Sequence, residues 1–448
     1  MTISTRFLLK GSLWTIGAFG FGQAIRVVTA VILARLLAPE LFGIMVIIGS
    51  LRAGLELLSD VGILQSMVYH KDADDPDFYN TAWTLGIIRS ILLWLIAIII
   101  AFPAARFYQS PILFWVAPLT TFSIVLVGFT SVSRLLLRKR LQIAKLNAVD
   151  TVVSVVSSGV SVLFAYLSPT IWALAFGGVF STGLTTIVSY FLLPDVKQRF
   201  YLSKRFAQEI LHYGKWIVAS SFVFFLSTNF DRLYLAKVVP LTLFGVYGIA
   251  TSFAGLLSAL VMQLGQDVLF PFITAHRDVP RTELRKEVGS TRAKFLMLAA
   301  LGFSFFVATA DLIIKLLYDE RYQAARWMLP VLFIGSWFSM LAYLNESALL
   351  GVGKPSYNAV ANTCKFTFLL IGLPFSVTIY GLFGGITVVA LADLCRYVPG
   401  LIGLTKERFS FGIQDFLSTL MLLVLIGLWE WLRFVLGFGT SFETMPIW

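Results

Sequence analysis

The chain has 448 residues, of which 58% are hydrophobic and only 13% charged. Soluble domains carry about a quarter charged residues, so this composition excludes a water-soluble fold and calls for a bilayer to cover the apolar surface. The net charge of +11 does not imply nucleic acid, because most Lys and Arg sit in short connections beside apolar runs, where they orient a membrane chain.

The N-terminus MTISTRFLLKGSLW has no small-residue cleavage site after a short apolar core. A retained first span is expected there, not a cleaved signal peptide. Apolar runs then cover about 12–37, 41–66, 80–102, 112–134, 144–167, 170–193, 214–238, 242–270, 291–316, 325–350, 355–378 and 381–403, with one more over 414–438. Each reaches the roughly 20 residues that cross a bilayer as helix, which predicts twelve spans and a thirteenth. Trp429 and Trp431 fit an interfacial belt near the end of the last run, and Glu430 and Arg433 are expected to reach headgroups from it.

With the N-terminus inside, the alternating topology places three basic clusters inside, at 134–145, around 197–215 and at 277–294. Only Arg35, Arg106, Lys237, Lys315, Arg321 and Arg326 fall outside, so the N-terminus is expected to be cytoplasmic. The segment RLLLRKRLQIAK (134–145) is basic and amphipathic and is expected to rest on an anionic leaflet. HKDADDPDFY (70–79), with Asp72, Asp74 and Asp75, reads as a solvated acidic loop. The glycines of GAFGFG (17–22) read as close helix packing, since no Lys-Ser/Thr follows them. Cys364 and Cys395 lie in apolar runs, and His70, His212 and His276 are scattered, so no disulfide framework, metal cluster or cofactor is expected.

An internal repeat is visible. LARLLAPELFG (33–43) and LAKVVPLTLFG (235–245) align without gaps at an offset of 202, and Trp14 meets Trp216 at the same offset. Six spans separate the copies, and an even number preserves orientation. The expected architecture is all-α and polytopic: two six-helix bundles related by an axis along the membrane normal, plus about one extra C-terminal span. The boundaries read as 1–193 for the first bundle, 194–213 for a cytoplasmic linker, 214–403 for the second bundle and 404–448 for the extra span and tail. Two such halves with a site between them suggest alternating access.

ILARLLAPELFGIMVIIGSL followed by LSDVGILQSMV resembles the N-terminal signature of the Wzx-type oligosaccharide flippases. These are polysaccharide transporters of the multidrug/oligosaccharidyl-lipid/polysaccharide superfamily. DRLYLAKVVPLTLFGVYGIATSF (231–253), LLYDERYQAARWMLPVLFIGSW (316–337) and LLGVGKPSYNAVANTCKF (349–366) resemble the same family. The resemblance implies two six-helix bundles around a cavity faced by the first and second spans. It also implies translocation of an undecaprenyl-diphosphate-linked oligosaccharide across the bacterial inner membrane, such as an O-antigen, capsule or exopolysaccharide repeat unit. The partners so implied are that lipid-linked oligosaccharide diphosphate and membrane lipids, with a glycan polymerase and export machinery as candidates.

Charges inside the spans are the candidate site, because a charge at mid-depth costs roughly 2.5–3.5 kcal/mol even on the gentler insertion scale. Arg26, Arg52, Arg89 and Lys365 lie near the middle of their runs, with Arg232 and Arg396 nearer an end. Glu56, Asp60, Asp231, Glu346 and Asp393 are the acids within spans. Arg52 and Glu56 are spaced to pair along one helix face, and adjacent Asp231 and Arg232 could find partners likewise, so mere packing roles stay open. No acid occurs in the first span to neutralise Arg26. A surplus of fixed cations suits an anion, and guanidinium matches phosphate oxygens in bidentate geometry. The candidate substrate-binding set is therefore Arg26, Arg52, Glu56, Arg89, Asp231, Arg232 and Lys365, with no catalytic residue. Two alternatives stand beside this reading. A cation-coupled multidrug antiporter would want an unpaired acid in the first span, and Asp231 in the seventh is its only analogue. A membrane-embedded glycan polymerase or glycosyltransferase would want a long external loop with catalytic charges, and the sequence has none.

Overall fold

The computed structural model describes residues 5–59, 75–139, 142–276 and 279–445. Asp60, His70, Asp72, Asp74, Arg140 and Arg277 lie outside the described residues. Within them every regular element is a helix. The N-terminal elements are α1 (Thr5–Leu36), α2 (Pro39–Leu58), α3 (Pro76–Phe107), α4 (Leu113–Gly128), the short α5 (Ser133–Lys139), α6 (Ile143–Leu167), α7 (Ile171–Ser189) and α8 (Lys204–Val238). Then come α9 (Leu241–Leu264), a π-turn at Gly265–Leu269, α10 (Phe270–Ala275), α11 (Arg281–Leu317), α12 (Ala325–Gly351), α13 (Ser356–Lys406) and α14 (Gly412–Val435). Among the described residues nine helices are long and apolar enough to cross a membrane. The chain is a multi-pass, all-α membrane protein.

The helices are built inside out, as lipid requires. On α3 the small Ala97, Ala101 and Ala104 are buried, while Leu92, Leu95, Ile96, Ile99 and Phe102 face outward, with Ile99 71% exposed. Water would not tolerate that face, but acyl chains do, and small residues let helix backbones approach. On α14 the buried positions are Asp415, Ser418, Leu422, Ile426 and Arg433, and the exposed ones include Phe416, Leu420, Leu423 and Trp431.

Helix α13 holds two of the expected spans. Gly381 has φ 58° and ψ −149°, a region open essentially only to glycine, and the chain reverses there. Two antiparallel arms result, held in register by Gly372 against Val388 and by Lys365 against Asp393. Gly335 on α12 abuts the second arm: a Cβ there would lie 2.6 Å from the Ala390 Cα, so only glycine permits this approach.

Three expectations need correction. The run 112–134 is not one continuous helix. Helix α4 stops at Gly128 because Ser131 turns the chain, accepting from the Gln198 amide while its own N–H donates to Ser189 Oγ at 2.8 Å. The linker 194–213 is not a loop throughout. Arg199, Tyr201 and Ser203 donate backbone N–H groups to side chains of Asn80, Thr84 and Thr81 on α3. From Lys204 the chain is helical and buries Phe206 and Ile210 against Phe78 and Tyr79. Arg433 and Glu430 do not reach for headgroups. Arg433 is buried on Asp311 at 2.8 Å, and Glu430 accepts from the Ser441 N–H at 2.9 Å. Asp75, at the end of the acidic stretch, caps α3 by accepting from the Asp77 N–H at 2.8 Å ahead of Pro76 at the first helical position.

The chain forms two compact units: Gly20–Val238, and Val239–Trp448 with Met1–Phe19. Helix α8 belongs to the first, packed on α2 and α3. The repeat read from sequence is the same structural turn in both places. Ala38 and Pro240, equivalent at the offset of 202, are the extended N-cap residues of α2 and α9. Leu33 and Ala34 are buried just before the first turn, and Leu235 and Ala236 just before the second.

Candidate functional site

The first unit gathers Arg52, Glu56 and Arg89 around the end of α2. The helical spacing puts Arg52 and Glu56 on one face, and the Arg52 Nε donates to Glu56 Oε1 at 2.9 Å. Arg52 Nη1 donates to Ser123 Oγ on α4 at 2.8 Å. That hydroxyl spends its own proton on the Thr120 carbonyl at 2.6 Å, which leaves its oxygen to accept. The Arg52 and Glu56 side chains remain 31% and 39% exposed, so a ligand can reach them. Arg52 Nη2 makes no hydrogen bond among the described residues.

Arg89 comes from α3 and meets the carbonyls that any helix leaves unpaired at its C-terminus. Its Nη2 donates to the Glu56 carbonyl at 2.6 Å and to Ser59 Oγ at 2.9 Å, and its Nε donates to the Ser59 carbonyl at 2.7 Å. A cation there also complements the helix dipole. Arg89 therefore fixes the segment that carries Arg52 and Glu56. Arg52 thus takes the Glu56 carboxylate, while Arg89 takes the Glu56 backbone carbonyl.

Elsewhere in this unit, Arg26 is exposed on α1 and makes no hydrogen bond or ion pair among the described residues. Asp231 is buried on α8, next to half-buried Arg232. Helices α2 and α8 come close at Gly54, where a Cβ would lie 2.9 Å from the Phe225 ring.

Lys365 lies in the second unit, in a different electrostatic setting. Its Nζ donates to Asp393 at 2.8 Å, and both side chains are 13% exposed. Arg396 is bound to Glu346, stands 3.8 Å from Asp393 and lies over the Tyr343 ring at 4.3 Å. Beside them Arg292 meets Asp415 at 2.5 Å, and the Tyr397 hydroxyl donates to Asp415 at 2.8 Å. In this network three cations face three carboxylates. Among the described residues this network pairs each cation with a carboxylate. Sequence reasoning missed Ser59, Ser123, Arg292 and Asp415. The two serines carry no signal that sets them apart from ordinary helix serines. Arg292 merges with a basic connection, and Asp415 lies at the edge of the last apolar run.

Known proteins resemble the chain along most of its length. The model of the family described as "Polysaccharide biosynthesis protein" matches residues 32–326. A protein named "Putative O-antigen transporter" from Shigella flexneri is 22% identical over 392 residues, covering 84% of this chain and 93% of its own. Among solved structures, one described as "Lipid II flippase MurJ, inward closed conformation" has a TM-score of 0.69 at 13% identity, covering 92% of this chain and 91% of that one. An inward-facing multidrug resistance MATE family transporter of the MOP superfamily has a TM-score of 0.61 at 16% identity, covering 89% and 95%. The two structures share the fold.

Proposed function

The chain belongs to the polysaccharide biosynthesis protein family, and from that premise we propose that it is a flippase. It carries an undecaprenyl-diphosphate-linked oligosaccharide from the cytoplasmic to the outer leaflet by alternating access, with no covalent chemistry and no cofactor. The observation that supports this reading is the cluster of Arg52, Glu56 and Arg89 on apolar helices, in which the Arg52 guanidinium stays reachable and one of its nitrogens makes no hydrogen bond among the described residues. An anionic headgroup compensates such charges, and a diphosphate offers oxygens in the geometry a guanidinium fork accepts. The relative named an O-antigen transporter and the neighbour named a lipid II flippase support a lipid-linked glycan as cargo. Arg26 and Arg52 take the diphosphate, Glu56 holds Arg52 between turnovers, and Arg89 positions the end of α2. Asp231 and Arg232 serve the same unit, while Lys365 acts from a network that Asp393 already compensates. Deleting the gene should make a lipid-linked glycan accumulate on the cytoplasmic face, and extraction and mass analysis of that lipid names the cargo. Normal surface glycan with no accumulated intermediate overturns the reading.

The protein sits in the bacterial cytoplasmic membrane with its N-terminus in the cytoplasm. The positive-inside asymmetry supports this orientation. Helices α11 and α14 run parallel, with Arg292 meeting Asp415 near their starts and Asp311 meeting Arg433 near their ends. The tail from Gly439 thus emerges at the same end as the connection after Leu317, which the charges place outside. Thiols introduced at 139, 204 and 285 should resist labelling from outside intact cells, and a thiol at 440 should label. Ready labelling at any two of the first three reverses the topology.

A further inference from the structure

A cavity of about 510 Å³ opens where α11 and α14 begin, within the second unit and away from the cluster around Arg52. One stripe of α11 lines it: Thr282, Arg285, Lys286, Gly289 and Ser290. These positions follow helical periodicity, and they leave the acids of the same turns, Glu283 and Glu287, off that face. Phe411 forms the inner wall, a buried ring that also carries Arg292 at 5.0 Å on its face. Gln414 closes the side, held by its amide on the Gly289 carbonyl at 3.1 Å, while its Oε1 is buried without a hydrogen-bond partner among the described residues. Arg285 and Lys286 are exposed and make no ion pair among the described residues. The hollow therefore has a cationic rim, hydroxyl groups and an aromatic wall.

The Lys286 and Ser290 side of that face continues into Met297, 56% exposed. On the other side Ile413, Phe416 and Leu420 of α14 face outward. Cations give way to an apolar strip within two to three turns, over a distance that leads from the headgroup level into the acyl region. A small anion would use the rim alone. A phospholipid uses both, its phosphate at Arg285 and Lys286 and its chains along the apolar strip. We propose that this cavity is a binding site for an acidic phospholipid, with Arg285 and Lys286 holding the headgroup phosphate and Gly289 leaving room for the glycerol backbone against Phe411. Basic pockets between transmembrane helices hold acidic headgroups for this electrostatic reason. The site does not depend on what the protein transports.

The test uses the full chain in neutral detergent, titrated with dioleoyl phosphatidylglycerol or dioleoyl phosphatidylcholine and read by native mass spectrometry. The wild type should bind the glycerol lipid roughly tenfold more tightly, as expected for two cations at the headgroup level. Arg285→Gln with Lys286→Gln should erase the preference without altering the fold, since both side chains are exposed. Gly289→Leu keeps the charges but fills the hollow, because a Cβ already lies 3.3 Å from Gln414 and 3.4 Å from Phe411, and it should weaken the preference too. Excess inorganic phosphate should not compete. An unchanged preference in the double variant overturns the site, and full competition by phosphate overturns the lipid assignment.

Discussion

Arg52→Ala should abolish surface glycan while the protein accumulates in the membrane at its normal level. The two halves of that expectation have separate grounds. Stability should hold, because Arg52 and Glu56 are each about a third exposed and a solvent-reached ion pair of this kind contributes only about 0–1 kcal/mol. Export should fail, because on the proposed mechanism Arg52 supplies the guanidinium that meets the diphosphate. Arg52→Lys keeps the charge but loses the planar fork and its bond geometry to Ser123, so export should fall partway. Glu56→Gln retains an acceptor for the Arg52 Nε and should be milder still. Arg89 is a poor probe of the same idea, since its loss strips the cap from α2 and confounds binding with folding. Complementation of a deletion strain, scored as surface glycan with membrane abundance measured alongside, reads all three. Full export by an Arg26→Ala, Arg52→Ala double variant at normal abundance would remove these arginines from the substrate path and leave them as packing elements.

Sequence and structure agree where a single segment carries the information. Most runs of apolar residues became helices near the expected ranges, and the hairpin at Gly381 falls at the start of the run 381–403, where two runs meet. The Arg52 and Glu56 pair was legible because four residues bring side chains together on any helix. What sequence could not supply joins distant segments. Ser123 is 71 residues from Arg52, and the Ser59 carbonyl is 30 from Arg89. The helical start of α8 at Lys204 was hidden because its turns are rich in charge; their apolar members, Phe206 and Ile210, need α3 to bury them. Arg292 was read as one of a basic cytoplasmic group. Its burial follows from Asp415, 123 residues away, on a helix whose charges look peripheral until its neighbour is known.

That last pair makes the second large prediction. Asp415→Ala should sharply lower membrane abundance and melting temperature. The Arg292 and Asp415 side chains are 5% and 1% exposed, and removing one partner strands the other charge in a low-dielectric interior. Breaking a buried pair in this way costs about 3–5 kcal/mol, a large share of the stability of most domains. The Tyr397 hydroxyl loses its acceptor in the same step. The damage should spread along α14. Asp415 and Arg433 pin that helix to α11 at points about 27 Å apart along its axis, close to the thickness of the hydrocarbon core. Between them the contact with α12 is the Trp337 indole N–H donating to Thr419 at 3.0 Å. Loss of the Asp415 anchor should therefore free the start of α14 and expose its buried polar face to lipid. Arg292→Gln combined with Asp415→Asn removes both charges, keeps an acceptor for Tyr397 and should recover most of the loss, since a neutral polar pair of similar shape leaves no stranded ion. Thermal unfolding of the purified proteins in detergent, with abundance in native membranes, measures both. A single Asp415→Ala variant that melts like the wild type, or a double variant no more stable than the single one, would show that this ion pair does not hold α14 in place.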